Sequence, residues 1–229
     1  MKKVTYPEIW LRGASLGEQV VSKLRIQIMS GEVKKGTILS ENQLSAEFGM
    51  SRSPIREALR TLSNEGLIDL QRMGAVVIGL TTRDLHELYD VRLLLEHFVL
   101  ERLSEVNHDS LIKKLEQSID QMNMAAKYDD YIEFAYQDLR FHELVIIEAN
   151  HKRILRLWES IREIILAALL ITTEKRFRDD KKAVMPLIEQ HHEMIKALKS
   201  QNIKRIQDEV KRHFKDTRNT ITASLVNEA

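Results

Sequence analysis

The sequence contains no cysteine. That excludes a disulfide framework, thiolate metal ligands and a cysteine nucleophile, and it is compatible with a reducing cytoplasm. Glycine (8) and proline (3) are scarce in 229 residues. With so few breakers, long helices are favoured over a turn-rich β fold. The longest apolar run, Ile164–Ile171, has eight residues, whereas a membrane-spanning helix needs about 20. No membrane partner is expected. Two lysines near the N-terminus are not followed by an apolar core, so no signal peptide is read there.

Charge of one sign is also lacking. The net charge of +1 names no partner by itself. Its distribution says slightly more. The first 80 residues carry 11 basic and 8 acidic side chains, and the remainder carry 24 and 26. A mildly basic front on a mildly acidic body suits a small nucleic-acid-binding head. What is present is a globular composition, with 43% hydrophobic and 30% charged residues.

Two blocks are legible. In the first, Val20, Val21, Leu24 and Ile28 fall on one face of a helix over residues 16–30 that Gly31 ends. Ser40 and Gln43 have capping-box spacing at the start of a short helix, Glu41–Phe48, closed by Gly49. Ser51 and Ser53 can each cap a third helix, with Pro54 in its first turn and Ile55, Ala58, Leu59 and Leu62 inward. LIDLQ and AVVIGL then read as a hairpin around Arg72–Gly74. Three helices and a hairpin make a winged helix-turn-helix over residues 1–80.

Residues 81–229 read as helices only, at about 83–104, 109–125, 128–149, 151–173, 184–200 and 203–225. Leu85, Leu88, Val91, Leu95 and Val99 form the expected inward set of the first. The charged stretch Thr172–Lys182 reads as a connection or helix end. The fold class is therefore mostly α, with a winged helix-turn-helix before an all-α bundle.

Two constellations carry chemistry. Ser51, Arg52, Ser53 and Arg56 crowd the opening of the third helix, the part of a recognition helix that enters the major groove. Arginine can pair with guanine through two donors. The alternative is a solvated face. A short recognition helix reads few base pairs, so a homodimer on two half-sites of double-stranded operator DNA is expected. Separately, Asp138 and His142 lie four apart on one helical face, with His191 and His213 on two later helices. One carboxylate and three imidazoles suit zinc, with nickel or manganese as alternatives. From spacing alone the metal signal is weak, and satisfied core or surface residues are the reading it must displace.

The stretch LSENQLSAEFGMSRSPIREALRTLSNEGLI resembles the N-terminal signature of the GntR family of bacterial transcription regulators. RMGAVVIGLT, YDVRLLLE and FVLERL are similar to its gluconate-responsive members. QDLRFHELVI, QHHEMIKAL and VKRHF resemble the ligand elements of the FadR-type branch, which has an all-helical FCD effector domain. The resemblance implies operator contacts from Ser51, Arg52, Ser53 and Arg56, with Arg72 and Gly74 at the wing. It implies a divalent metal on Asp138, His142, His191 (not His192) and His213. It also implies a small carboxylate effector, gluconate or another sugar acid, with Arg92 facing it. For Arg92 an ion pair with Glu96 is the alternative. Asn42 and Met73 depart from the family, which often has a basic residue at the first and glycine at the second.

The leading expectation is a cytoplasmic, ligand-responsive repressor of a sugar-acid operon, and not an enzyme. A metal-dependent hydrolase is the main rival, but no HExxH, nucleophile elbow or phosphate loop is found. A constitutive DNA-binding helical dimer is the other.

Overall fold

The computed structural model describes residues 6–72, 74–105 and 108–225; Met73, at the expected wing tip, lies outside them. The chain forms two compact units that divide between Arg83 and Asp84.

The first unit holds α1 (Leu16–Met29), β1 (Ile38–Leu39), α2 (Glu41–Phe48), α3 (Arg52–Asn64), β2 (Ile68–Gln71) and β3 (Gly74–Val77). The capping box is at Ser15, which accepts from the Glu18 amide while Glu18 accepts from the Ser15 amide. At Ser40 only half of one forms, because the hydroxyl accepts from the Gln43 amide without a reciprocal bond. Helix α1 packs on α3 through Val20, Val21, Leu24, Ile55, Leu59 and Leu62, all buried. Each such side chain contributes about 1.5–3 kcal/mol when fully buried. Arg25, itself buried, reaches from α1 to Glu65 beyond α3 with two hydrogen bonds of 2.8 and 2.6 Å.

The double cap expected on α3 is corrected. Ser51 takes the N-cap position without a side-chain bond, and Ser53 lies inside the helix. A cap bonds the amide two or three positions on. Pro54 stands three positions after Ser51 and has no N–H.

The sheet has order β1-β3-β2, all antiparallel. Strand β1 went unseen in the sequence because two residues show no alternation. It explains Gly74. A Cβ there would meet the Leu39 carbonyl oxygen and Ile38 Cγ2, each at 3.0 Å, and its φ is 138°. Gly74 is therefore a strand residue that lets β1 approach.

The second unit is built from α4 (Thr82–Leu103), α5 (Asp109–Lys127), α6 (Tyr131–Glu148), α7 (Lys152–Asp179), α8 (Val184–Lys199) and α9 (Ile203–Leu225). Helix α6 lies between α5 and α7, and α8 packs on α5 and α9. Trp158, Phe134, Leu139 and Ile165 are in the core. Asp129, Asn150 and Gln201 take left-handed conformations at the turns (φ 58°, 46° and 51°), so these turns do without glycine.

Two readings need correction here. Residues 172–179 are not a connection, since α7 runs through them to Asp179. Thr172 donates to the Ala168 carbonyl, and Glu174 pairs with Arg178 one turn on at 2.9 Å. These satisfied polar groups keep a charged segment helical. On α4, Leu85, Leu95 and Val99 are buried as expected, but Leu88 is half-buried and Val91 is 40% exposed, and Tyr89, Arg92, Glu96 and Leu103 complete the buried line. Two charged residues on that line disguised it.

Candidate DNA-binding face and effector centre

Ser51, Arg52, Ser53 and Arg56 are exposed together on the first turns of α3. Arg56 is engaged. Its Nε and Nη2 donate to the two carboxylate oxygens of Glu41 on α2, at 3.0 and 2.9 Å. Arg52 makes no side-chain hydrogen bond among the described residues. Glu41 is held below the usual carboxylate range, first by the Arg56 bond and also by the positive field of Arg56, Arg52 and Arg60. Arg72 is exposed on the turn between β2 and β3.

In the second unit the chain brings Asp138, His142, His191 and His213 to one buried place. Helix α6, opened by Asp130 accepting from the Glu133 amide, puts Asp138 and His142 one turn apart. Helix α8 brings His191, and α9, opened by Asn202 accepting from the Arg205 amide, brings His213. One nitrogen from each imidazole lies within 4.8 Å of the others. Among the described residues no other such group of ligand-type side chains forms. Asp138 Oδ1 stands 3.5 Å from His142 Nε2 and 3.4 Å from His191 Nε2. No ion pair joins it to His213 among the described residues, so Asp138 sits to one side of the trio.

The hydrogen bonds around the trio fix which nitrogens face inward. His142 donates from Nδ1 to Glu96 Oε2 at 2.5 Å, and His191 from Nδ1 to the Leu187 carbonyl at 2.8 Å. His142 Nε2, His191 Nε2 and His213 Nδ1 are buried with no hydrogen-bond partner. Unpartnered buried polar atoms are costly, and three imidazole nitrogens beside one carboxylate fit a divalent cation. Burial, and then the neighbouring imidazoles, hold His213 well below the usual histidine value, so it is neutral and able to donate a lone pair. Burial would raise Asp138, but the His142 and His191 imidazoles beside it outweigh that and keep the carboxylate ionised.

Arg92 makes the ion pair with Glu96 that its spacing offered as the alternative. Its Nε donates to Glu96 Oε1 at 2.8 Å, while Nη1 and Nη2 are buried without partners. Its guanidinium lies 5.1 Å from the Phe214 ring centroid. Tyr89 Oη is buried beside it without a well-formed bond, and burial pushes that phenol up to about 12. Sequence reasoning had Glu96 only as a partner for Arg92 and missed Tyr89, buried against Arg92. Its signal was the i, i+3, i+4 line through Arg92.

Comparison with known proteins agrees with this architecture. Residues 16–78 match the model of bacterial regulatory proteins of the gntR family, and residues 87–216 match the FCD domain. The gluconate operon transcriptional repressor of Bacillus licheniformis is 44% identical over 201 residues, covering 88% of this chain and 83% of that one. That of Bacillus subtilis is 39% identical over 220 residues, covering 96% and 90%. Among solved structures, Escherichia coli McbR/YncC superposes with a TM-score of 0.70 at 19% identity, covering 92% of this chain and 98% of that one. A GntR regulator from Rhodococcus does so at 0.67 and 22%, covering 91% and 98%. These two show the fold alone. No helix among the described residues is long and apolar enough to cross a membrane. The chain belongs to the GntR family of bacterial transcription regulators, a DNA-binding protein with an FCD effector domain and not an enzyme.

Proposed function

We propose that the protein is a cytoplasmic repressor of a sugar-acid operon, released from a palindromic operator when a carboxylate effector binds its FCD domain. Residues 1–80 are the DNA-binding domain, with Ser51, Arg52, Ser53, Arg56 and Arg72 as its contacts. Gly74 shapes the wing without reading bases. Residues 81–229 bind effector and dimerise.

The observation that carries this reading is the meeting of unpartnered groups inside one bundle. His142 Nε2, His191 Nε2 and His213 Nδ1 lack partners next to Asp138, and Arg92 offers two free Nη groups close by. Asp138, His142, His191 and His213 would hold the cation, with zinc favoured by three nitrogens and one oxygen and nickel or manganese also compatible. A bound divalent cation supplies a Lewis-acidic point that accepts a carboxylate or hydroxyl oxygen. Arg92 orients the carboxylate by a two-point contact. The names of the Bacillus relatives make gluconate the first effector to test, ahead of other sugar acids.

A homodimer follows from the short recognition helix, since two half-sites are needed for useful specificity. Its supporting feature is an apolar stripe on α4, with Val91, Leu94 and Phe98 exposed at helical spacing.

The test measures metal content and operator affinity with and without gluconate. Release by gluconate only in metal-loaded protein is expected. Release from metal-free protein would refute the metal role. Silence toward every sugar acid would remove the effector assignment and leave operator binding standing.

A further inference from the structure

Tyr89 and Arg92 stand one turn apart on α4, and both are buried. The Arg92 guanidinium carbon lies 5.7 Å from the Tyr89 ring centroid and 5.1 Å from that of Phe214 on α9. The Phe214 ring is in turn 5.4 Å from the His213 ring and 6.1 Å from the His142 ring. Tyr89 thus packs against the same guanidinium that Phe214 ties to the imidazole trio. Three buried polar atoms on this one turn of α4 have no hydrogen-bond partner: Arg92 Nη1, Arg92 Nη2 and Tyr89 Oη. The ion pair with Glu96 and the metal ligand set account for none of them.

These atoms call for different partners. Both Nη groups only donate, and together they match the two oxygens of one carboxylate. The phenol donates and accepts. Burial, which pushes it up to about 12, keeps it neutral. A neutral two-way group beside a charged fork suits a partner of its own kind. In a sugar acid the carbon next to the carboxylate bears a hydroxyl, which also donates and accepts. An acid without that hydroxyl would leave the phenol buried and unpartnered, and a site built around a hydroxyl rejects the analogue lacking it for this reason.

We propose that Tyr89 is a specificity residue of the effector site. Its phenol pairs with the hydroxyl on the carbon next to the carboxylate that Arg92 holds, so the site selects 2-hydroxy carboxylates over acids lacking that group. This rests on the effector reading above.

The experiment titrates zinc-loaded, full-length wild type and Tyr89→Phe with gluconate and with 2-deoxygluconate by calorimetry, and measures zinc content and melting temperature alongside. The two acids differ only in the hydroxyl in question, and the two proteins only in the phenol oxygen. Wild type should bind gluconate about tenfold or more tighter than 2-deoxygluconate, the scale of one buried hydrogen bond. Tyr89→Phe should lose that preference by weakening gluconate, with 2-deoxygluconate affinity and zinc content unchanged. A wild type that binds both acids equally overturns the proposal before any variant is made. A preference for gluconate that survives Tyr89→Phe overturns it too, because another group would then read the hydroxyl. Equal losses for the two acids would place the phenol on the carboxylate, and loss of zinc would place it in the metal centre; either sinks the assignment. If wild type binds neither acid, the effector reading fails and this proposal falls with it.

Discussion

Glu96 accepts the Nδ1–H of His142 at 2.5 Å, between two side chains with no exposed surface. Its other oxygen takes Arg92 Nε at 2.8 Å. One carboxylate thus orients an imidazole and an arginine at once, leaving His142 Nε2 and both Arg92 Nη groups for other partners. Partners that hold a ligand imidazole in place typically matter 10–100-fold for metal affinity.

Replacing Glu96 by Gln tests this. The shape is kept, but one of the two orienting bonds is lost or reversed. Zinc affinity, measured by competition with a chromophoric chelator, should fall by about ten- to a hundredfold. Unchanged affinity would mean that Glu96 serves packing alone.

Removal of the metal should also register as stability. Binding to the native state alone contributes about 2.7 kcal/mol when free ligand is a hundred times its dissociation constant. Wild type should therefore unfold at a lower temperature with EDTA than with zinc. His191→Ala should unfold at one temperature in both. A wild-type melting curve that ignores EDTA argues against the centre.

On the DNA-binding face, Arg52 and Arg56 should behave differently toward their surroundings. Either one changed to Ala should cost about 1–3 kcal/mol of operator discrimination. The exposed Arg56–Glu41 pair is worth at most about 1 kcal/mol. Glu41→Gln should then leave thermal stability nearly unchanged and shift operator affinity less than Arg56→Ala does. Fluorescence anisotropy with operator and scrambled duplexes compares the three. If Arg56→Ala binds operator like wild type, its guanidinium serves Glu41 and not DNA.

Dimerisation can be tested at Leu94, 70% exposed in the middle of the apolar stripe on α4. Leu94→Glu should shift sedimentation from dimer to monomer and weaken operator binding, while helical content by circular dichroism stays as in wild type. A dimer that persists places the interface elsewhere.

Much of this molecule was legible in sequence because local signals agreed. Gly49 ends α2, and LIDLQ and AVVIGL pair as β2 and β3. What escaped was decided by contacts distant in sequence. Strand β1 exists only through its pairing to β3. The bond from Glu96 to His142 spans 46 residues, and neither residue's neighbours announce it. On α4 Leu85, Leu95 and Val99 were read correctly as inward, but Arg92 and Glu96 were not, because hydrophobicity marks burial poorly where two charged groups satisfy each other. For the four centre residues, spacing offered only Asp138 with His142; family resemblance supplied His191 and His213, and folding brings their nitrogens near.

Helix α4 starts at Thr82, one residue before the last of the DNA-binding unit, and carries Arg92 and Glu96 further along. Ten residues of helix span about 15 Å with no joint. Under the proposed effector reading, a carboxylate bound at Arg92 would act on the same helix that begins at Thr82, so the stiffness of those ten residues would bear on the response. A glycine pair inserted between Leu85 and Leu88 would uncouple the two ends while leaving each able to bind.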